Sequence, residues 1–196
     1  MPLHRALRPA LAILAGALAL PVLATPVTYT LDSDHTYPSF EADHGGLSTW
    51  RGKFNKTAGT VVLDRAAQQG TVDLVIQIDS IDFGHEEMNK HAKAADMFDA
   101  AKYPVASYKG RISRFRNGAP AEVQGDLTLR GVSRPVELKI ERFKCVDPHP
   151  MNKVETCGAD VHGRFSRRDF GLNFALDMGF SPEVLLRIQV EALKAP

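Results

Sequence analysis

Apolar and polar residues alternate with a period of two along most of the chain. In residues 71–80, Val72, Leu74, Ile76 and Ile78 fall on one side of an extended chain, and polar residues fall mostly on the other. The same period recurs in GDLTLRG, RPVELKIERF and EVLLRIQVEA, and in shorter form in TAGTVVLD and VASYKGRIS. A period of two is typical of half-buried antiparallel strands, so the pattern predicts six to eight of them.

Turn residues separate the predicted strands, and two segments are predicted to be helical instead. Asn117-Gly118 is suited to a hairpin turn, and Gly131 closes a second hairpin. Residues 86–98 (EEMNKHAKAADMF) instead carry apolar residues every three or four positions, which predicts a helix that Pro104 prevents from extending further. A short helical turn is also predicted over about residues 45–53 (GGLSTWRGK).

The order of these elements predicts an all-β fold. We find no linker, repeat or low-complexity run in residues 25–196, which we therefore expect to form a single domain. Amphipathic strands with one helix excursion form either a sandwich or a barrel. We favour a barrel, because closure removes the exposed strand edges that promote aggregation.

The predicted inward face of this barrel is aliphatic and aromatic and carries no recurring charge. It consists of Phe40, Leu74, Ile76, Ile78, Leu127, Leu129, Leu138, Ile140, Val161, Phe165 and Ile188. A small barrel is either filled by its own side chains or wide enough for one ligand, and the sequence leaves both open. Any ligand is expected to be apolar and elongated, because a charged group would lose its hydration there without gaining a partner.

The first 24 residues differ from the rest of the chain. Arg5 and Arg8 precede an uncharged stretch over residues 10–24 that ends in small residues, as in a secretory signal peptide. About 15 apolar residues are too few to cross a bilayer core of roughly 30 Å, so we expect no stable membrane anchor. Cleavage is predicted after Ala24 and leaves residues 25–196 as the exported protein.

Charge and cysteine content refine this interpretation. The chain has 24 Lys+Arg against 23 Asp+Glu, a formal charge of +1 that becomes −1 without Arg5 and Arg8. Nucleic acid is therefore not expected as a partner, since no broad basic surface is available for phosphates. In an oxidising compartment the two cysteines, Cys145 and Cys157, are expected to form a structural disulfide, and their spacing is not that of a CxxC redox pair.

Sequence motifs for catalysis and metal binding are absent. His85-Glu86 opens the segment HEEMNKH, but its second histidine lies six residues on, whereas an HExxH zinc helix needs both histidines on one face. The sequence contains no GxSxG, Walker or GxGxxG motif. We therefore predict no catalytic residue, no metal ligand and no cofactor.

Several segments, taken in order, resemble the YceI-like family of exported, lipocalin-like proteins that bind polyisoprenoid lipids. The most specific are KHAKAADMFDAAKYPVASY and GDLTLRGVSRPVEL, with weaker support from His44-Gly45-Gly46, RRDFGLNF and VLLRIQVEA. The resemblance extends from about Tyr29 to Leu193. It implies an extended antiparallel eight-stranded barrel, a lumen that takes a long isoprenoid chain, no catalytic residues and a periplasmic location.

The resulting hypothesis is an exported carrier or storage protein that buries the tail of a polyprenyl or quinone lipid. Its head group is expected at the barrel mouth, where His44, Trp50, His91 and Tyr103 offer polar tips on apolar bodies. Phe98 is also predicted to contact the ligand. A lipid longer than the barrel would protrude or favour a homodimer.

Two alternative functions remain open at this level. One is a periplasmic enzyme or metal-binding protein that uses His44 and His91 near the mouth. The other is an interaction protein whose barrel is filled by its own side chains.

Overall fold

The computed structural model describes residues 25–196, so the predicted signal peptide and its cleavage site lie outside the described residues. The period-two segments form strands, and residues 86–92 form a helix. In chain order these are β1 (Val27–Leu31), β2 (Tyr37–Asp43), β3 (Thr49–Phe54), β4 (Thr57–Asp64), β5 (Gln69–Gln77), β6 (Ile81–Asp82), α1 (Glu86–Ala92), β7 (Val105–Arg116), β8 (Ala119–Leu129), β9 (Val132–Val146), β10 (Thr156–Ser166) and β11 (Glu183–Lys194). Short 3-10 turns lie at Ile78–Ser80, Arg167–Phe170 and Leu176–Met178.

These strands form a closed antiparallel barrel. The order around it is β1-β4-β5-β7-β8-β9-β10-β11, and β1 pairs with β11 to complete the circle. The remaining strands β2, β3 and β6 lengthen β1, β4 and β5 beyond short breaks, since β2 pairs with β11 and β3, and β3 pairs with β6. The predicted eight-stranded barrel is confirmed, with three of its strands interrupted.

The two ends of the barrel differ in their connections. At one end, here called the closed end, lie β1, the turn at residues 65–68, the Asn117-Gly118 hairpin turn and the connection between β9 and β10. The opposite, open end carries the turn between β2 and β3, residues 83–104, and residues 167–182. Asn117 and Gly118 both have left-handed backbone angles (φ 52° and 76°), which suits the tight hairpin that the sequence predicts.

Helix α1 is shorter than the sequence predicts. The His85 ring nitrogen accepts a hydrogen bond from the Met88 backbone N–H at 3.3 Å and caps the first turn. Beyond Ala92, the Phe98 N–H donates back to the Ala92 carbonyl, six residues away instead of four. The helical ladder therefore ends at Ala92, and the predicted continuation to residue 98 is wrong.

The predicted helical turn over residues 45–53 is also wrong. Gly45 and Gly46 both adopt left-handed backbone angles (φ 63° and 73°), which a right-handed helix does not contain. The Gly46 N–H donates to the Asp43 carboxylate at 2.9 Å, and the segment forms the hairpin turn that leads into β3.

The closed end is packed and cross-linked. Buried apolar side chains fill it, among them Leu31, Leu63, Ile112, Val123 and Ala192. The predicted disulfide joins Cys145 on β9 to Cys157 on β10, which are cross-strand partners.

A polar network lies beside this disulfide. Arg65 Nη2 donates to Glu155 Oε1 at 2.6 Å, and the buried Tyr29 hydroxyl donates to Glu155 Oε2 at 3.0 Å. Burial, together with the Glu155 hydrogen bond, raises the pKa of Tyr29 above its ordinary value. The network ties the middle of β1 and the end of β4 to the start of β10.

Candidate functional site: an apolar cavity at the open end

The open half of the barrel contains a cavity of about 420 Å³. Its walls are mainly aliphatic and aromatic side chains from β2, β3, β5, β7, β8, β9, β10 and β11, with contributions from α1 and residues 167–182. The volume is within the range of small-molecule sites, about 300–1,000 Å³. The interior of an eight-stranded barrel can be filled by its own side chains. Here side chains fill the closed end and leave a cavity at the open end.

Most of the residues predicted to contact a ligand line this cavity. They are Phe40, His44, Trp50, Leu74, Ile76, His91, Phe98, Leu127, Leu129, Leu138, Phe165 and Ile188. The period of two thus places one face of β5 and β8 on the lumen, as the sequence predicts.

Four predicted residues do not line the cavity. Ile78 is buried in the 3-10 turn after β5, where the strand period is interrupted. Tyr103 packs on the turn between β8 and β9, with a ring carbon 3.0 Å from the position that a Cβ on Gly131 would take. Ile140 and Val161 are partners across β9 and β10 and pack against the core without reaching the cavity.

The structure adds lining residues that the sequence did not single out. Tyr108 and Val136 lie on segments that already showed the strand period, so that pattern could have identified them. Phe174 and Phe180 lie in the irregular segment between β10 and β11, where no periodicity points to them. Phe83, Met88 and Met97 come from the connection between β6 and β7, and Leu172 follows β10.

Tyr108, on β7, lies over Gly125 of the neighbouring strand β8 and lines the cavity. Its hydroxyl donates to the Val136 carbonyl at 2.8 Å, and burial raises the pKa of Tyr108, with Asp126 and Glu137 adding to the shift. A Cβ on Gly125 would lie 2.8 Å from the Tyr108 ring, so this glycine provides the space that the ring occupies.

Aromatic rings continue from this interior toward the mouth. Phe40 contacts Phe54 (ring centroids 5.8 Å apart) and meets Phe83 edge-on at 5.5 Å. A Cβ on Gly52 would lie only 2.6 Å from Phe40 and 2.9 Å from Phe83, so the absence of a side chain at Gly52 allows both rings to enter the lumen. The part of the cavity wall near the mouth therefore consists of aromatic rings in defined positions.

Two histidines lie at the mouth, each against an aromatic ring. His44 stacks on Trp50 with ring centroids 4.7 Å apart, and Phe180 meets His44 edge-on at 5.5 Å. His91 meets Phe174 edge-on at 4.8 Å, and its Nε2 lies 3.3 Å from an Asp96 carboxylate oxygen.

These histidines do not form a metal cluster in residues 25–196. The one group of His, Cys, Asp and Glu side chains close enough to hold an ion in that range is Cys145, Glu155 and Cys157, and both sulfurs there are joined in the disulfide.

The charged side chains that line the mouth are engaged by the backbone. Arg167 donates to the carbonyls of Leu172 (3.0 Å), Phe174 (2.8 Å) and Ser181 (3.2 Å), and burial lowers its pKa. Asp43 accepts from the backbone N–H groups of Gly46 and Ser181. Both residues therefore hold the loops of the open end in place, and the interior behind them is apolar.

Two buried threonines line the cavity and differ in their hydrogen bonding. Thr36, 1% exposed, donates from its hydroxyl to the Glu191 carbonyl at 3.0 Å and accepts from the Glu191 N–H at 3.1 Å. Thr57, 2% exposed, has no hydrogen-bond partner for its hydroxyl in the part of the chain that the structure describes. The arrangement as a whole is suited to burying an apolar chain, with Thr57 as an unpaired polar group.

Comparison with known proteins identifies relatives of this architecture. The YceI-like domain matches residues 29–192. A UPF0312 protein of Vibrio cholerae is 31% identical over 186 residues, which cover 92% of this chain and 95% of the relative. The protein YceI of Escherichia coli is 31% identical over 175 residues, covering 87% of this chain and 89% of that protein.

Solved structures show the same fold. BcnA of Burkholderia cenocepacia superposes with a TM-score of 0.65 at 21% identity, covering 83% of this chain and 99% of BcnA. A polyisoprenoid binding domain from Saccharophagus degradans superposes with a TM-score of 0.61 at 15% identity, covering 86% of this chain and 99% of that domain.

Proposed function

The chain belongs to the YceI-like family, and from this premise we propose that it is an exported carrier or storage protein for a long isoprenoid lipid of polyprenyl or quinone type. The observation that carries the proposal is the apolar cavity, which is closed at one end of the barrel and bordered at the other by partly exposed residues. The similarity to a polyisoprenoid binding domain supports the choice of lipid.

Burial of the tail supplies the affinity in this proposal. Each CH₂ group removed from water contributes about 0.8 kcal/mol, so about twenty buried carbons contribute roughly 16 kcal/mol. That exceeds an association cost of order 10 kcal/mol. An apolar chain therefore needs no charged anchor, and the interior offers none.

We propose that the head group of the lipid lies at the mouth beside His44, Trp50 and His91. These three side chains line the outer part of the cavity and carry ring nitrogens next to apolar ring surfaces. Tyr103 is left out of this group because it packs on Gly131 and does not line the cavity.

We also propose export to the periplasm, with removal of residues 1–24 as a signal peptide and residues 25–196 acting as one lipid-binding domain. The uncharged stretch behind Arg5 and Arg8 supports this proposal. In the described residues, no helix combines the length and apolarity needed to cross a bilayer. N-terminal sequencing of protein from a periplasmic extract should begin at Thr25, and a sequence that starts at Met1 would contradict cleavage.

Binding is favoured over both alternatives by specific contacts. A filled barrel leaves no room for a cavity of about 420 Å³, which argues against a purely structural interior. His44 and His91 line the cavity against aromatic rings, which suits contact with a lipid, and we assign neither a catalytic role.

Native mass spectrometry of freshly purified protein tests the proposal, followed by titration of delipidated protein with a polyprenol. Leu74 and Val75 are neighbours on β5, but Leu74 lines the cavity whereas Val75 is exposed. We expect Leu74→Trp to abolish retention of the polyprenol by occupying the cavity, and Val75→Trp to retain it. Absence of lipid from the purified protein, together with no binding of added polyprenol or quinone, would reject the function.

A further inference from the structure

Two connections of the open end, residues 44–48 and 171–182, carry large apolar side chains that are exposed to solvent. Leu47, in the turn between β2 and β3, is 87% exposed, and Met178 and Phe174, between β10 and β11, are 72% and 44% exposed. Phe174 also lines the cavity, so it connects the exposed apolar residues of its segment with the interior. We propose that Leu47, Phe174 and Met178, here called the rim, dock on the surface of a lipid bilayer.

The two segments that carry the rim are fixed to each other. The Asp43 carboxylate accepts one hydrogen bond from Gly46, beside Leu47, at 2.9 Å and another from Ser181 at 3.2 Å. The ring of Phe180 meets His44 edge-on at 5.5 Å across the same junction. Arg167 adds hydrogen bonds to the carbonyls of Leu172 and Phe174. The segments that carry the rim are therefore held together at the open end.

The rim segments are also poor in charge. Residues 44–48 and 171–182 (HGGLS and GLNFALDMGFSP) contain one formally charged residue, Asp177, whereas charged residues make up 24% of the chain. A surface with few charges enters the boundary between head groups and acyl chains with little loss of hydration. Apolar contact is therefore the expected driving force, and added salt should have little effect.

The size of the rim favours a bilayer over another protein. A stable protein interface needs about 800 Å² from each partner, far more than three side chains supply. A bilayer needs no complementary shape, and a few inserted side chains give weak, reversible attachment. It also places a source of apolar chains directly against the cavity mouth. In this respect the inference rests on the proposed function, because docking provides the route by which lipid would enter or leave.

Met151 provides a matched control at the other end of the barrel. It is 81% exposed, close to the exposure of Met178, but it lies in the connection between β9 and β10 at the closed end. Its segment, DPHPMNKV, carries Asp147 and Lys153, and it does not border the cavity. Loss of binding on substitution of Met178 but not of Met151 would therefore locate the docking surface.

Flotation of delipidated protein with phosphatidylcholine vesicles, with and without phosphatidylglycerol, tests the inference. We expect the wild-type protein to float with both, and binding to persist in high salt. Leu47→Ser combined with Met178→Gln should weaken vesicle binding about tenfold or more, whereas Met151→Gln should leave it unchanged. Fluorescence of Trp50, the single tryptophan, should change on vesicle addition because it lies behind the rim.

Several outcomes would overturn the proposal. These are no vesicle binding by the wild-type protein, equal binding by the rim double variant, or an equal loss in Met151→Gln. A homodimer in solution that the rim double variant dissociates would instead assign the rim to a second copy of the chain. Polyprenol binding in solution, measured separately on the same variants, should be unchanged, because Leu47 and Met178 do not line the cavity. If the wild-type protein does not bind polyprenol, the proposed cargo function is rejected, whereas docking on vesicles is decided separately by flotation.

Discussion

The closed and open ends of the barrel are built from the same eight strands, but their interiors are occupied differently. At the closed end, mainly aliphatic side chains fill the lumen, and a disulfide with the Tyr29, Arg65 and Glu155 network joins the strands. At the open end, longer connections carry aromatic side chains that stand around a cavity.

This difference separates stability from binding along the barrel axis. Side chains of the closed end make contacts on all sides, so each one contributes to holding the fold. Side chains around the cavity have protein atoms on one side only and have forgone part of that packing energy. We infer that packing at the closed end supplies most of the stability and offsets the weaker packing around the cavity. Substitutions in the two halves should therefore change the free energy of unfolding by different amounts.

The largest effect is expected from shortening a leucine in each half. Leu63→Ala, at the closed end, should lower the free energy of unfolding by about 2–5 kcal/mol because it creates a cavity in packed surroundings. Leu127→Ala, on the cavity wall, should cost less than about 2 kcal/mol, since it enlarges a space that already exists. Urea unfolding of the delipidated proteins measures both. Equal losses would show that the two halves are packed alike.

Smaller changes in the free energy of unfolding, of opposite sign, are expected when the two buried threonines of the open half are replaced by valine. Thr57→Val should raise the free energy of unfolding of the delipidated protein by about 1 kcal/mol, because it removes a buried hydroxyl that has no partner among residues 25–196. Thr36→Val should lower it by about 1–2 kcal/mol, because both of its hydrogen bonds with Glu191 are lost. Thermal unfolding distinguishes them, and a destabilised Thr57→Val variant would show that its hydroxyl is paired.

The sequence predicted the direction of side chains better than the state of the lumen. Alternation in β5 and β8 correctly placed Leu74 and Leu127 on the inward face. It failed for Ile78, because the 3-10 turn that begins there interrupts the period. Alternation does not report how far along a strand the lumen stays open, since that depends on side chains from other strands. Ile140 and Val161 were therefore assigned to the cavity although they pack against the core.

The connections of the open end were the least predictable part of the site. Spacings of three and four suggested a helix to residue 98, but turns after Ala92 bring Phe98 against Phe54 by a different backbone path. Phe174 and Phe180 lie in an irregular segment, where neither a period of two nor one of 3.6 applies. Their positions depend on tertiary hydrogen bonds such as those of Arg167, which no local pattern reveals.

The smallest effect is expected from the pH dependence of two tyrosines, one in the closed-end network and one on the cavity wall. Burial raises the pKa of both Tyr29 and Tyr108 above the ordinary value of about 10. The folded protein therefore keeps these protons when the unfolded chain releases them. The stability that each tyrosine contributes is fully present below about pH 10 and is lost as the pH rises toward its folded pKa.

Absorbance titration at alkaline pH should show tyrosines that ionise above the ordinary pH range, and Tyr29→Phe and Tyr108→Phe should each reduce this component. Lipid added to the delipidated protein should shift the ionisation of Tyr108 to higher pH more than that of Tyr29, because Tyr108 lines the cavity and Tyr29 does not. Equal shifts on lipid addition would place the lipid elsewhere, or show that it acts on the whole barrel.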